Sequence, residues 1–484
     1  MKPRSVPGGP SAPAPATQII PIGICLVLLP ALMNPPPSAA AIQAGVAQVD
    51  ITPPPGLPMY GFFERIVNHR VATGTLDPLY ARALVLQAGE KRLALVALDL
   101  GRTFNEPSLA RLRAMAREGS RVDALVVTAS HTHSGPNILD EYPGGGPPAW
   151  ESVAIDKIAG AIHRAALNLE PARLGAGYGD AYIGYNRRRV GPDGGVTMVW
   201  SDPDKNPYGP FDSTVGVIRV DREDGTPIAI LVNYACHPVV LGSDNLQYSA
   251  DFAGQMAGTV AAAFGGKPLC IFLQGAAGDI NPYFAGTPLD KGAVQKRDWT
   301  GRELGTEAAR VAKEIQTRTS PAPSLEFADD VIVLPWRWDP QRLRADLLRA
   351  NGPLALQDHA GILDSASPPS ELAVHVTTVL IDRQIAIVGM PGEPFVDFQV
   401  GWRSRCPVRN CFFLGYTNGY FDYFPTILAA SQGGYGAGDS NTYVAVGAGE
   451  RMLDQALVRI HQMLGELNQA PRSENWVPPV RKAM

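Results

Sequence analysis

Short apolar runs alternate with amphipathic stretches from Gly45 onward, and this alternation sets the expected elements. The nearly continuous run Leu93–Leu100 reads as a buried strand, followed by helical periodicity over Pro107–Arg117. Ala124–Thr128 is a second strand, and the alanine-rich stretch Ser152–Leu169 a helix. Val215–Val220 and Pro227–Tyr234 flank Asp221-Arg-Glu-Asp-Gly225, the pattern of a hairpin. Asp251–Phe264 and Thr300–Thr317 read as helices around a buried strand at Pro268–Gln274. Later strands are expected at Asp330–Leu334, Leu372–Ile381, Gln384–Val388 and Cys411–Leu414, with a closing helix at Gly449–Leu467.

Interleaved strands and helices predict an α/β fold, and the hairpin makes its sheets mixed. No period of 20–50 residues is visible, which excludes a solenoid or propeller. Pro335–Pro369 carries the weakest pattern and reads as an insertion or helical lid. The expected organisation is an N-terminal segment 1–41, one catalytic domain 42–470, and a flexible tail 471–484.

Composition narrows the function classes. A net charge of −4 leaves no electrostatic footprint for nucleic acid. The 50 glycines and 44 prolines predict many loops between short elements, where a site would be built. Ile19–Met33 is apolar but short and proline-containing, below the ~20 residues a spanning helix needs. With Lys2 and Arg4 before it and small residues after, it fits a secretory signal cut near Ala39–Ala41, or an uncleaved anchor. The expected location is therefore secreted or periplasmic. Cys236, Cys270, Cys406 and Cys411 would remain, too few for a disulfide scaffold; Cys406 and Cys411 could pair in an exported protein.

Four segments share one design, an apolar strand followed by polar residues among glycine or proline. The first ends in His131-Thr-His133, two imidazoles at i and i+2 that address one face. The second delivers His237 just before Pro238, the third Asp279 and Asn281 within Gly278-Asp-Ile-Asn-Pro282, and the fourth Glu393 between two prolines. Strand tips on one sheet edge are the usual place for a site. Histidine nitrogens with one carboxylate make a zinc set that leaves a position for water, whose pKa then falls to about 7. Taken singly, His237 also reads as a core histidine and Glu393 as a turn carboxylate.

These segments resemble the catalytic domain of the neutral (non-lysosomal) ceramidases. Ala47-Gln-Val-Asp-Ile-Thr-Pro-Pro54, Asp77–Leu86, Ser130-His-Thr-His-Ser-Gly-Pro136, Asn233-Tyr-Ala-Cys-His-Pro238, Gly278-Asp279 and Pro391-Gly-Glu393 follow that family's order from about residue 45 to 465. Its immunoglobulin-like C-terminal domain has no room before residue 484. The resemblance implies zinc held by His131, His237, Glu393 and a tyrosine of Thr417-Asn-Gly-Tyr-Phe-Asp-Tyr423, with Tyr423 favoured over Tyr420. It implies that His133 faces the substrate or the developing oxyanion, and that Arg187, after Asn186, grips the polar part of the substrate. The resemblance implies a lipid or small-molecule substrate, and a lipid one would be met at a membrane surface.

One departure limits this reading. The ceramidases carry a serine at Gly-Asp-x-Ser-Pro, central to amide cleavage, where this chain has Asn281. A carboxamide supplies no hydroxyl nucleophile or proton shuttle, though it can donate to an oxyanion. Proton transfer would rest with Asp279 or His133. The leading expectation is zinc-dependent hydrolysis of an N-acyl, ceramide-like amide. The alternatives are a zinc amidase or esterase on another substrate, and a non-catalytic exported binding protein with the same fold.

Overall fold

The computed structural model describes residues 11–14, 41–140, 142, 146–351 and 369–467. The apolar stretch of the signal or anchor segment, the tail from 471 and residues 352–368 of the expected 335–369 insertion lie outside these residues. The chain divides into a unit 1–38 and a compact unit 39–484. Within the first, residues 11–14 are exposed and without regular structure.

The compact unit has two large sheets and four two-stranded ladders among its described residues. The strands of the first are β1 (Gln43–Asp50), β2 (Tyr80–Ala88), β3 (Lys91–Leu98), β4 (Ala124–Ala129), β5 (Glu170–Asp180), β6 (Thr214–Arg222), β7 (Pro227–Tyr234) and β8 (Leu269–Gln274), in spatial order β8-β7-β6-β5-β1-β2-β3-β4. The second sheet runs in sequence order through β9 (Leu325–Pro335), β10 (Glu371–Ile381), β11 (Ile385–Gly389) and β12 (Asn410–Leu414). In these two sheets three neighbouring pairs are parallel: β3/β4, β7/β8 and β11/β12. The remaining neighbours are antiparallel, including the expected hairpin β6/β7, whose register shifts at Val220/Asp221. The mixed α/β expectation therefore describes the fold.

Alternation explains the layering, because successive side chains of a strand take opposite faces. Leu93, Leu95 and Ala97 of β3 and Ile218 and Val220 of β6 turn inward onto Val379, Ile387, Phe412 and Leu414 of the second sheet. Ala94, Val96 and Leu98 of β3 turn outward beneath the helices Glu106–Ser120 and Ala149–Leu167. Val215, Val217 and Phe272 pack against Asp251–Ala263 and Ala293–Glu314. The far face of the second sheet is covered by Val396–Arg405 and Ala448–Met463, with Trp402 and Met452 fully buried. The result is four layers, helix–sheet–sheet–helix. Each large apolar side chain buried in them contributes roughly 2 kcal/mol.

Several boundaries differ from expectation. The helix expected at Thr300–Thr317 begins at Ala293, and the strand expected at Asp330–Leu334 begins at Leu325. Part of the 335–369 stretch is the helix Pro340–Asn351. Cys406 and Cys411 do not pair; both are free thiols.

The outer strands β4 and β8 of the large sheet come back towards each other, which positions the site. Buried Gln274, at the end of β8, donates to Ser130 O (2.8 Å) and Cys236 O (2.9 Å). Ala129 N donates to Tyr416 O, and Gly415 N to Gln274 O, both at 3.1 Å. The C-terminal tips of all three parallel pairs are thus stitched together.

Candidate metal centre

The doublet leaves the tip of β4 with His131 in the left-handed region, φ +67°. That conformation costs a non-glycine residue of order 1–3 kcal/mol and persists only where the surroundings impose it. Here they do: His131 N donates to Leu100 O, its Nδ1 lies 2.7 Å from Gly101 O, and its ring stacks on Tyr416 at 4.2 Å. Tyr416, Asn418 and Asp422, in the loop that follows β12, also have positive φ. His237 follows β7 and is held by its own N–H and by Nδ1, the latter 3.1 Å from the same Ile280 carbonyl.

A carbonyl oxygen only accepts, so Nδ1 carries a proton in both rings, and in its neutral form such a ring presents a bare Nε2. Burial holds His237 down to about 4, so it is neutral at pH 7. The two bare nitrogens face one oxygen: His237 Nε2 is 3.1 Å and His131 Nε2 3.4 Å from Glu393 Oε2. Glu393 is 2% exposed and accepts from the phenols of Tyr420, through Oε1, and Tyr416, through Oε2. Tyr420 in turn meets Tyr60, OH to OH, at 2.9 Å.

His133 Nε2 is 3.3 Å from His131 Nε2, and donor atoms of His131, His133 and His237 all lie within 4.8 Å of one another. Burial, and then the neighbouring imidazoles, push His133 well below the usual histidine range. Its Nδ1 is buried without a partner against Gly61, where a Cβ would fall 2.5 Å away. Two buried histidines and a half-buried third this close can hold a metal ion. The spacing fits one, because donors about 2.0–2.1 Å from a tetrahedral zinc lie about 3.3 Å from each other. Acceptor atoms this close repel unless a cation or proton stands between them.

Tyr423 is the register partner of Glu393 in a two-residue parallel ladder. Its hydroxyl receives a hydrogen bond from Arg187 Nη2 (3.1 Å). Arg187 is not on a solvated face: it is buried, also donates to Gly278 O (2.6 Å) and Asn281 Oδ1 (3.3 Å), and lies among the rings of Trp200, Tyr423 and Tyr435. Asn281 uses Nδ2 on Trp200 O (3.3 Å), so both ends of its amide have protein partners. Asp279 accepts from Asn186 Nδ2 (2.7 Å) and from Val396 N at the start of a helix (2.8 Å); burial raises its carboxyl to about 6.

The sequence-derived residues therefore converge in two adjoining groups, His131/His133/His237/Glu393 and Arg187/Tyr423/Asn281/Asp279. Sequence reasoning missed Tyr60 and Tyr416 and set Tyr420 behind Tyr423. The only available signal was the spacing of Tyr416, Tyr420 and Tyr423 in a glycine- and asparagine-containing loop directly after a strand.

Comparisons with known proteins identify the family and the fold. The model of the neutral/alkaline non-lysosomal ceramidase N-terminal domain matches residues 42–297, and the chain belongs to that family. A curated neutral ceramidase of Mycobacterium tuberculosis is 26% identical over 254 residues, which are 47% of this chain and 38% of that protein. The chain thus matches well under half of that relative's length. Among solved structures, the neutral ceramidase of Pseudomonas aeruginosa superposes with a TM-score of 0.69 at 19% identity, covering 87% of this chain and 75% of the other. A ceramidase complexed with C2 gives a TM-score of 0.69 at 18% identity, with 92% and 78% covered. At these identities the structural likeness speaks for the fold.

Proposed function

We propose that the protein is a zinc-dependent amide hydrolase of the N-acylsphingosine amidohydrolase type, acting on a lipid or small-molecule N-acyl substrate. The observation that carries this reading is the approach of two bare imidazole nitrogens to one buried carboxylate oxygen, at 3.1 and 3.4 Å, in a member of the ceramidase family. His131, His237 and Glu393 would hold the ion, with Tyr423 as the fourth group. A zinc ion held there would supply a Lewis acid for the scissile carbonyl and for a water molecule, whose pKa it would lower.

The remaining steps belong to the chain itself. His133, neutral at pH 7, can take a proton from attacking water and return it to the leaving nitrogen. Arg187 brings positive charge to the oxygen on which negative charge develops. Asp279 holds the 278–282 loop through Val396 N and Asn186 rather than shuttling protons. The N-terminal 41 residues support a secreted or periplasmic location.

A second reading, hydrolysis of a non-ceramide amide or ester, is favoured by Asn281, whose carboxamide is engaged by Arg187 and Trp200 O. One experiment separates the readings: turnover of a fluorogenic ceramide, short acyl amides and esters, each with and without chelator. Chelator-sensitive cleavage of an amide is expected. Turnover indifferent to chelator, or none on any probe by metal-loaded protein, would overturn the proposal.

A further inference from the structure

We infer that Arg65 is a positioning residue that sets the place of His133 within the centre. Arg65 lies in the short helix Phe63–Val67 and is 1% exposed. A guanidinium has five N–H donors in a fixed planar fork. All five are used here, each on a main-chain carbonyl. Nε donates to Ser243 O (3.1 Å), and Nη1 to Tyr60 O (2.9 Å) and His133 O. Nη2 donates to Gly242 O (3.0 Å) and Asn245 O (2.8 Å). No carboxylate hydrogen-bonds to it among the described residues, and burial lowers its pKa to about 10. The guanidinium also lies over the Phe62 ring at 4.8 Å, and that ring meets His133 edge-on at 5.4 Å.

One side chain therefore cross-links three turns: the one carrying Tyr60, the one carrying His133, and residues 242–245. The other histidines do not depend on it. His131 is anchored by Gly101 O and His237 by Ile280 O. His133 has no such anchor, since its Nδ1 is unpartnered. Its ring is placed by the main chain beneath it, which Arg65 holds at the carbonyl and Pro238 O at the N–H (3.2 Å), and by the rings of Tyr60 and Phe62 around it. A lysine, with three donors on one atom, cannot reproduce the span. A shift of about 1 Å in a reacting group costs on the order of 100-fold in rate.

The inference rests on the proposed hydrolase reading for its rate effect, but not for its structural readout. Arg65→Lys and Arg65→Gln would be compared with the parent by ring-nitrogen NMR, with the His133 signal assigned from His133→Gln, and by metal content. The expected result is a displaced or broadened His133 signal, unchanged His131 and His237 signals, and undiminished metal per chain. Where the parent turns over an amide, kcat should fall about 10- to 100-fold with KM within about twofold. Methylguanidine added to Arg65→Ala should restore part of the His133 signal. An unmoved His133 signal in folded Arg65→Lys or Arg65→Gln, or equal disturbance of all three histidines with loss of metal, would overturn the assignment. A parent that turns over nothing, with the His133 signal still shifting, would sink the hydrolase reading and leave Arg65 in place.

Discussion

His237 Nε2 lies 3.1 Å from Glu393 Oε2, and neither atom brings a proton to the contact, because the ring proton is on Nδ1 facing Ile280 O. Such a pair is stable only around a positive charge. The chain bridges 156 positions to make it, from a loop after β7 to a turn after β11.

His237→Ala removes one donor and leaves the carboxylate facing His131 alone. Metal affinity should fall by more than ~100-fold, beyond what loss of an outer hydrogen-bond partner causes. Chelation of the parent should lower Tm by about 3–6 °C, since an ion bound only by the folded state stabilises it. Elemental analysis after dialysis, with calorimetry, checks both; a parent that never carries metal would contradict the assignment.

Tyr420→Phe deletes the phenol donating to Glu393 Oε1 and frees the carboxylate to rotate. Metal affinity should drop about 10- to 100-fold with the fold intact. Tyr60→Phe, one hydrogen bond further out, should do less. Competition with a zinc-responsive dye would rank the two, and equal affinities would remove Tyr420 from any supporting role.

Asp279 gives a pH-dependent prediction. Its carboxyl is raised to about 6 by burial, above the unfolded value, so the folded state binds the extra proton. The associated stability is present in full below about pH 4 and is lost as pH rises through about 6, up to about 3 kcal/mol. Asp279→Asn cannot lose that proton. Its stability relative to the parent should rise by up to this amount between pH 4 and 7, measured by urea unfolding. A difference independent of pH would mean that the carboxyl is ionised throughout.

Asn281→Ser restores the hydroxyl found in the ceramidases and releases Arg187 Nη1 from its amide partner. Cleavage of a fluorogenic ceramide should rise about tenfold, a change of about 1.4 kcal/mol in the barrier. Asn281→Ala, which frees Arg187 without adding a hydroxyl, should not give that gain. Equal gains from both would assign the effect to Arg187.

The sheets were legible in the sequence where strands are apolar on both faces, as in β3, β7 and β8. The edge strand β9 was read short because its first half, Leu325–Asp330, interrupts its apolar residues with Glu326, Asp329 and Asp330. The first turns of Ala293–Glu314 were missed because Gln295 to Asp298 are all polar. In the site, His131, His237 and Glu393 stood out because each ends an apolar strand before glycine or proline. Tyr60, Tyr416 and Arg65 did not. Their significance comes from which loops meet them, and Phe63-Glu-Arg-Ile-Val67 alone reads as an ordinary helical turn with a solvated arginine.

The family signature ends at residue 297, but Glu393, Tyr420, Tyr423 and the whole second sheet lie beyond it. A fragment cut at that boundary would retain the three histidines while leaving Leu93, Leu95 and Ile218 facing water in place of Val379, Ile387 and Phe412. It would keep the recognisable motif and lose both the carboxylate and the surface that brings the strand tips together. The span that identifies this protein is shorter than the span that can work, and any excised domain or fusion partner must be built around residues 42–467 rather than around the motif.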